Sequence, residues 1–385
     1  VDASAVEVEV DLLRKLPSVA IVGLPDSAVR ESADRVRSAI QQSGHEFPRK
    51  RIVVNLAPAG LRKNGAAFDL PIAIGIMAAS GQIAPEWLHS TLFVGELSLG
   101  GALRPIRGAL SLAIMCRNRG FERIVLPTAN APEAAAVDGL EVLPAGTLAE
   151  AAALAEGRGA AAAACPPPPS EKGYGVDLSE VRGQAQARRA LEIAAAGGHN
   201  LLMVGPPGCG KTMLALRLPT ILPKMDPSEA LDVTRIHSAA GLQKDPGIAS
   251  HRPFRAPHHS ISLAGMVGNA QLVPGECSLA HNGVLFLDEL PEFRRDVLES
   301  LRAPLENREI TIAKAAGTVR FPAAFSLVAA ANPCPCGFYG HPTRPCRCSP
   351  GQRERYRGRL SGPLRDRMDL QIRIPPVGPR ELLED

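Results

Sequence analysis

The chain has 385 residues, which is enough for two or three domains. It is 45% hydrophobic, but its apolar runs are too short to span a bilayer, so we expect no membrane-spanning protein. The formal net charge of +4 says little by itself about partners, and we expect no secretory signal. Because the sequence starts at Val1 rather than Met and stops at Asp385, we expect a piece of a longer protein.

The first 156 residues alternate between strand and helix patterns, which indicates a mixed α/β domain. Apolar runs predict strands over 18–22, 51–56, 91–95 and 123–126. Apolar residues at helical spacing, and a buried apolar run, predict helices over 28–43, 70–77 and 108–119. Asp26 or Ser27 is the expected cap of the first helix.

A change in composition predicts a linker over 157–173. An alanine tract there leads into four prolines, 166–169, which favour a stiff polyproline II spacer. We therefore expect one domain over 1–156 and a second over 174–385. In the second domain, apolar runs predict strands near 200–204, 284–287 and 325–331, and a hairpin formed by 310–313 and 318–321.

A phosphate-binding loop follows the first strand of the second domain, with a helix predicted directly after it. Lys211 is expected to reach the β- and γ-phosphates of a nucleotide, and Thr212 to offer its hydroxyl to Mg²⁺. The residues expected to hold the nucleotide are Gly205, Pro206, Pro207, Gly208, Cys209, Gly210, Lys211 and Thr212. An ordinary glycine-rich turn is the alternative, but the order of strand, loop and helix favours an ATP site.

Two further strands of this domain end in polar residues. Val284–Leu287 is followed by Asp288, which suits Mg²⁺, and by Glu289, which suits a general base that polarises the attacking water. Asn332 follows the next apolar strand and is positioned to orient that water or to contact the γ-phosphate. Alone, an acidic strand end is common and an Asn before Pro is often only a turn. After a phosphate loop, the acidic pair predicts a catalytic site.

These strand ends resemble the AAA+ ATPases, and several longer motifs resemble the ComM/YifB family of magnesium-chelatase-like AAA+ proteins. The resemblance covers nearly the whole chain. Besides the phosphate loop, the motifs that carry it are 21–25, 53–58, 68–71, 181–184, 254–259, 287–293, 331–337 and 361–369. It implies a P-loop AAA+ domain, a parallel sheet flanked by helices, preceded by an α/β domain similar to the Lon protease domain.

The resemblance also implies a homo-oligomeric ring, usually a hexamer, with ATP between subunits. Arg367 matches the arginine finger that reaches the neighbour's γ-phosphate, with Arg365 as the nearby alternative. The plainer interpretation is that either arginine only pairs with Asp366 or Asp369. The helical lid that normally follows in AAA+ proteins is expected to be missing from this sequence.

Two insertions match those of chelatase-like AAA+ proteins. The hairpin over 309–321 often faces a central pore, where Lys314 and Arg320 can contact a nucleic-acid backbone, although simple packing is an equal alternative. In the segment 252–262, His258 and His259 suggest a metal site, but neighbouring side chains of an extended segment point apart. We therefore expect a structural or pore role for this segment.

The eight cysteines do not form a disulfide framework, and a nucleotide enzyme belongs in the reducing cytoplasm. Two Cys-x-Cys pairs contain four thiols that can hold tetrahedral zinc, with His341 as a spare ligand. Their spacing departs from the usual Cys-x₂-Cys pattern, and a reduced loop or a redox pair remains an alternative. The four residues are Cys334, Cys336, Cys346 and Cys348.

Aligned by eye with Lon-type peptidases, the N-terminal domain has Ala67 at the nucleophile position and Leu110 at the lysine position. Neither side chain can perform that chemistry, so we expect no proteolysis. The basic clusters 49–51 and 62–63 are compatible with DNA binding, but are more simply solvated surface.

The resemblance implies an ATP-driven hexameric motor on single-stranded or branched DNA, similar to the ComM helicases that promote branch migration in recombination and natural transformation. Nine arginines over 344–373 fit a nucleic-acid partner, although a solvated surface is the plainer alternative. A chelatase-type motor that remodels a partner protein is the second hypothesis. A peptidase with a built-in motor is the third, and Ala67 and Leu110 argue against it.

Overall fold

A computed structural model describes residues 3–63, 65–84, 87–158, 164, 173–243, 247–269, 273–314 and 317–376. By its internal contacts the chain divides into two compact units. The first is Val1–Pro169 with Ser238–Ile248, and the second is Ser170–His237 with Ala249–Asp385. The segment 238–248 thus belongs to the first unit, although it lies inside the predicted second domain. The predicted proline spacer lies outside the described residues.

The described residues of the first unit up to Arg158 form eight strands and six α-helices. Its strands are β1 (Glu7–Leu13), β2 (Ser18–Val22), β3 (Arg51–Ala57), β4 (Thr91–Phe93), β5 (Glu96–Leu97), β6 (Leu103–Arg104), β7 (Arg123–Pro127) and β8 (Glu141–Ala145). Its helices are α1 (Ser27–Arg30), α2 (Ser32–Gln42), α3 (Asp69–Ala79), α4 (Ala109–Asn118), α5 (Ala131–Ala134) and α6 (Leu148–Ala155).

Two three-stranded sheets organise this unit. In the first, β3 lies between β1, which is antiparallel to it, and β2, which is parallel. The side chains of β3 alternate, so that Ile52, Val54 and Leu56 are fully buried in the core. In the second sheet, β7 lies between β4 and β8, and all three strands are parallel.

The sequence predicted about half of these elements and missed β1, β5, β6, β8, α5 and α6. The four predicted strands and the helices over 70–77 and 108–119 are confirmed, with ends shifted by one or two residues. Asp26 is the cap, because its carboxylate accepts a hydrogen bond from the amide of Val29 at 2.8 Å. The predicted helix over 28–43 is divided at Glu31, where the hydroxyl of Ser32 donates back to the carbonyl of Val29.

A buried ion pair joins α2 and α3. The carboxylate of Asp69 is inaccessible to solvent, and the guanidinium of Arg35 donates to both of its oxygens, at 2.7 and 3.0 Å. The amide of Leu97 also donates to this carboxylate, at 3.2 Å. Among the described residues, removing the guanidinium would leave this buried negative charge with the amide of Leu97 as its donor.

We expect Arg35→Ala to lower the free energy of unfolding by about 3–5 kcal/mol, because breaking a buried pair leaves one charge uncompensated. Denaturant unfolding measures this loss. Arg30→Ala, on the same stretch of chain but exposed, is the matched control and should change stability by less than about 0.5 kcal/mol. Equal stabilities of the two variants would contradict the prediction, and adding Asp69→Asn to Arg35→Ala should restore part of the loss.

The second unit holds a central sheet and a separate hairpin. Its strands are β9 (Leu201–Val204), β10 (Phe254–Arg255), β11 (Val284–Leu287), β12 (Glu309–Lys314), β13 (Gly317–Pro322), β14 (Ser326–Ala331) and β15 (Leu370–Arg373). The helices that follow α6 are α7 (Ala185–Gly197), α8 (Lys211–Arg217), α9 (Pro227–Ala240), α10 (Leu263–Val267), α11 (Glu276–Leu279), α12 (Arg295–Ser300), α13 (Arg302–Asn307), α14 (Pro350–Arg357) and α15 (Gly362–Arg365).

The central sheet has the order β10-β11-β14-β9-β15, and all its strands are parallel. In register, Met203 of β9 pairs with Ala330 of β14 on one side and with Ile372 of β15 on the other. Strands β11 and β14 are almost entirely buried, which explains their continuous apolar sequences. Because the strands are parallel, their carboxyl ends meet at one edge of the sheet, and polar residues follow them there.

The three predicted strands and the hairpin of this unit are confirmed. β12 and β13 are antiparallel, with Ile310 opposite Phe321, and both side chains are buried. The sequence did not predict β10 or β15, and among the helices of this unit it predicted only α8. None of the helices in the described part of the chain combines the length and the apolar character that crossing a membrane requires.

Candidate active site

The phosphate loop joins the carboxyl end of β9 to the amino end of α8, as predicted. Gly208 and Gly210 have φ angles of +79° and +90°, in the left-handed region that side chains disfavour. At Gly205, a Cβ atom would lie 2.5 Å from the carbonyl oxygen of Ile374 and 2.7 Å from the sulfur of Cys209. The glycine pattern is therefore required by backbone conformation and by close packing.

Lys211 is the buried cation of this loop. Its ammonium group donates to the carbonyl oxygens of Gly205 and Pro206, at 2.8 and 2.9 Å. It also lies 3.3 Å from the side-chain oxygen of Asn332. The structure therefore brings together the lysine of the phosphate loop and the polar residue after β14, which are 121 residues apart in sequence.

Thr212 and Asp288 form the second contact across the site. The hydroxyl of Thr212 donates to Oδ2 of Asp288 at 2.7 Å. Neighbouring oxygen ligands of octahedral Mg²⁺, with bonds of about 2.1 Å, stand about 3 Å apart. The two oxygens therefore fit adjacent positions around one Mg²⁺ ion, and they are the donors that would hold it.

Glu289 projects from a constrained backbone at the end of β11. Its φ angle is +52°, which is unusual for a residue with a side chain, and such strain is frequent at functional sites. Its amide donates to the carboxylate of Asp288 at 2.9 Å, which fixes the two acids relative to each other. The carboxylate of Glu289 is half-exposed, and its Oε2 lies 3.8 Å from Nδ1 of His259.

The expectation that His258 and His259 point apart is wrong. Strand β10 ends at Arg255, so the two histidines lie beyond the extended segment on which that expectation was based. Their ring centroids are 4.0 Å apart at an interplanar angle of 35°, so the rings face each other. Of the two, His259 lies beside Glu289, which follows β11.

Two site residues were missed from the sequence. Tyr356 of α14 is buried, and burial, followed by the nearby carboxylates of Glu292 and Glu289, raises its pKa to about 12. The phenol also contacts the backbone of Asn332. The sequence does contain a signal for a buried Tyr356, because it is the single aromatic residue of an otherwise polar helix. The second is Gln184, whose side-chain amide donates to the carbonyl of Pro375 at 2.9 Å and to that of Cys209 at 3.4 Å.

Arg367 lies at the amino end of β15. Because β15 and β9 are parallel, Arg367 is at the opposite edge of the sheet from Lys211 of the same chain. Its guanidinium pairs with Glu306 rather than with the two aspartates named above as alternatives. Arg365, on α15, donates to the carbonyl of Arg357 at 3.4 Å.

The four cysteines predicted as metal ligands come together. Their sulfur atoms all lie within 4.8 Å of one another, and the distance is 3.4 Å from Cys334 to Cys336. Cys346 lies 3.6 Å from Cys334 and 3.7 Å from Cys336. Amide hydrogen bonds from Phe338 and Arg347 lower the pKa of Cys336 to about 6, whereas burial and the neighbouring thiols raise the pKa of Cys346 and that of Cys348.

His341 does not join this cluster. Its Nδ1 accepts hydrogen bonds from the amides of Thr343 and Arg344, at 3.2 and 3.1 Å, so it stabilises a turn. In the hairpin, Arg320 is exposed, whereas the side chain of Lys314 lies outside the described part of the structure. In the first unit, Leu110 is fully buried and Ala67 contributes a carbonyl that accepts from Gly95.

Comparison with known proteins identifies the family of the chain. The family described as "Magnesium chelatase, subunit ChlI" matches residues 177–382, and "Subunit ChlI of Mg-chelatase" matches residues 8–130. The uncharacterized protein YifB of Escherichia coli is 47% identical over 377 residues, and competence protein ComM of Haemophilus influenzae is 46% identical over 381 residues. Each alignment covers 97% of this chain and 74% of the relative.

A more distant similarity is to Lon protease 2 of Bacillus subtilis, 29% identical over 152 residues, which are 37% of this chain and 27% of that protein. The resemblance inferred from the motifs is thus confirmed over nearly the whole length of the chain. The chain belongs to the ComM/YifB family of magnesium-chelatase-like AAA+ ATPases, with a Lon-like α/β fold beside the AAA+ fold.

Proposed function

We propose that the chain hydrolyses ATP as one subunit of a hexameric motor that acts on single-stranded or branched DNA in the cytoplasm. The observation that carries the ATPase proposal is the convergence of Lys211, Thr212, Asp288 and Asn332 at one edge of the sheet. Lys211 would exchange its carbonyl partners for phosphate oxygens, while Thr212 and Asp288 hold Mg²⁺.

In this proposal, Glu289 accepts a proton from the attacking water and Asn332 orients that water against the γ-phosphate. Charge on the phosphoryl group is neutralised by Lys211 and, from a neighbouring subunit, by Arg367. The position of Arg367 supports a role between subunits, because it lies at the sheet edge opposite its own Lys211.

The DNA partner is supported by charge and by similarity. The relative in Haemophilus influenzae is named competence protein ComM. The process we propose for this chain is branch migration in recombination and natural transformation. Arginines cluster beside the cysteine loop, where Arg353 and Arg357 lie over the ring of Tyr339, at 4.4 and 5.3 Å from its centroid. Such a mixture of cations and an exposed ring suits a nucleic-acid backbone and its bases.

We also propose that zinc occupies the cysteine cluster. A tetrahedron with Zn–S bonds of about 2.3 Å has sulfur atoms about 3.8 Å apart. The sulfur atoms of Cys334, Cys336 and Cys346 are 3.4–3.7 Å apart, close to that value and far from the roughly 2.0 Å of a disulfide. The sulfur of Cys348 lies within 4.8 Å of the other three. The cluster would supply structural stability and take no part in the chemistry of hydrolysis.

DNA should stimulate ATP hydrolysis by the chain. We expect the DNA concentration for half-maximal stimulation to rise at least about tenfold between about 50 and 200 mM salt, because binding releases counterions. Steady-state ATPase assays with single-stranded and forked DNA measure this. A rate that DNA leaves unchanged would contradict the DNA proposal, and would favour a chelatase-type motor that remodels a protein partner.

Arg320→Ala in the hairpin should weaken this stimulation without changing the basal rate. Thr311→Ala is the matched control, because Thr311 is directly opposite Arg320 in the hairpin and shares its face. Equal stimulation of the two variants would exclude a DNA contact by Arg320.

A further inference from the structure

The cysteine cluster begins immediately beside the nucleotide site. Asn332, which contacts Lys211, is separated from Cys334 by a single proline. Cys334 is fully buried, so its sulfur is held at a fixed place at the end of β14. Any group that fixes this sulfur therefore also restrains the backbone that carries Asn332.

A second contact links the cysteine loop to the phosphate loop itself. Gly337, with a φ angle of +81°, forms a turn in which its amide donates to the carbonyl of Cys334 at 2.9 Å. A Cβ atom at Gly337 would lie 2.6 Å from Cδ and 2.8 Å from Cγ of Pro207. The turn therefore packs directly against the middle of the phosphate loop.

A third connection runs through α14, which begins directly after the last cysteine. The hydroxyl of Ser349 caps this helix, and Tyr356, two turns along, contacts the backbone of Asn332. Cys334 and Cys348 thus lie at the two ends of a loop. Asn332 stands just before the first end, and Tyr356 of α14, which follows the second end, contacts the backbone of Asn332. The loop between them, 335–347, contains no helix or strand, so other interactions must order it.

We propose that a metal ion bound by the four cysteines constrains the conformation of this loop. This constraint holds Asn332 and Pro207 in the positions that give the phosphate loop its affinity for ATP. The proposal rests on the proposed ATP binding and on zinc at the cluster. The cysteines are positioning residues here. Loss of the ion frees Asn332 and Pro207 from this constraint, because the loop has no helix or strand and is ordered by metal binding.

The first test compares the chain with and without its metal. Zinc would be removed with a zinc-selective chelator at constant Mg²⁺, zinc content measured by mass spectrometry, and binding of a fluorescent, slowly hydrolysed ATP analogue titrated. We expect one zinc per chain, a rise of about tenfold or more in Kd on its removal, and recovery when one equivalent of zinc returns. Circular dichroism reports whether the metal-free chain stays folded.

The second test separates the contact between Gly337 and Pro207 from metal binding. Gly337→Ala should keep one zinc per chain and yet weaken binding of the analogue by about tenfold, since its methyl group would press on Pro207. Gly340→Ala is the matched control. It has a similar φ of +78° in the same loop, but nothing lies within 4 Å of its Cβ position, so it should keep both zinc and affinity.

The outcomes distinguish the proposals. Metal-free chain that stays folded and binds the analogue as tightly as the zinc form would overturn the coupling while leaving the ATPase proposal intact. Equal affinities of Gly337→Ala and Gly340→Ala would do the same. A chain that takes up no zinc would overturn the metal site, and a zinc-loaded chain that binds no analogue would overturn the proposed function itself.

Discussion

Replacing Glu289 with glutamine is expected to slow ATP hydrolysis by about 10²- to 10⁴-fold, because the amide cannot accept the proton of the attacking water. Binding of ATP should remain, since neither Lys211 nor Thr212 is changed. The substitution preserves size, and the side chain is half-exposed, so the fold should tolerate it. Steady-state hydrolysis and a nucleotide-binding titration on the same preparation measure the two effects.

Glu292→Gln is the matched control for this variant. Glu292 lies three residues further along and pairs with Arg359 at 2.8 Å, so the same loss of charge occurs at a carboxylate that is held in an ion pair. Its rate should stay within a few-fold of the parent chain. If Glu289→Gln retained the parent rate, the general base would have to be another residue.

Replacing Arg367 with alanine is expected to reduce hydrolysis by about 10³- to 10⁵-fold, the range attributed to arginine fingers. Arg367 lies at the sheet edge away from its own phosphate loop. In the proposed mechanism its charge therefore acts on ATP bound by a neighbouring subunit. Its own subunit should bind ATP normally. Arg365→Ala, two residues earlier, is the control that separates the two candidate arginines.

Mixing variants tests the shared site directly. Subunits with Arg367→Ala have an intact base, and subunits with Glu289→Gln have an intact finger, so a mixed ring contains some complete sites. We expect the mixture to hydrolyse ATP faster than either variant alone. A mixture no faster than its components, from subunits that do assemble together, would exclude action of Arg367 on a neighbour.

Much of the nucleotide site could be predicted because its residues follow strong local patterns. The phosphate loop is a contiguous motif. Asp288 and Glu289 follow one buried apolar strand, and Asn332 follows another. Parallel strands must place such ends at one edge, so sequence alone predicts that they meet. The contacts of Lys211 with Asn332 and of Thr212 with Asp288 agree with this expectation.

Other features depend on contacts that local patterns do not contain. The partner of Arg367 is Glu306, 61 residues away, and no spacing rule connects them. β15 was missed because its four residues alternate polar and apolar, and a strand that short gives little signal. The histidine pair was misjudged because β10 ends at Arg255, earlier than the extended pattern suggested.

The side chain and amide of Asn200 connect the segment that carries Arg367 to strand β9, which leads to the phosphate loop. Its Nδ2 donates to the carbonyl of Arg367 at 2.9 Å and its Oδ1 accepts from the amide of Leu327, while its own amide donates to Asp369 at 2.7 Å. The base of the finger is thereby attached to the amino end of β9, and the phosphate loop to its carboxyl end. Only four residues, about 13 Å, separate them. In the proposed ring, β9 and the two groups attached to its ends would then move as one rigid unit. A tilt of this unit on nucleotide binding would displace Arg367, which is proposed to act at the ATP site of the neighbouring subunit.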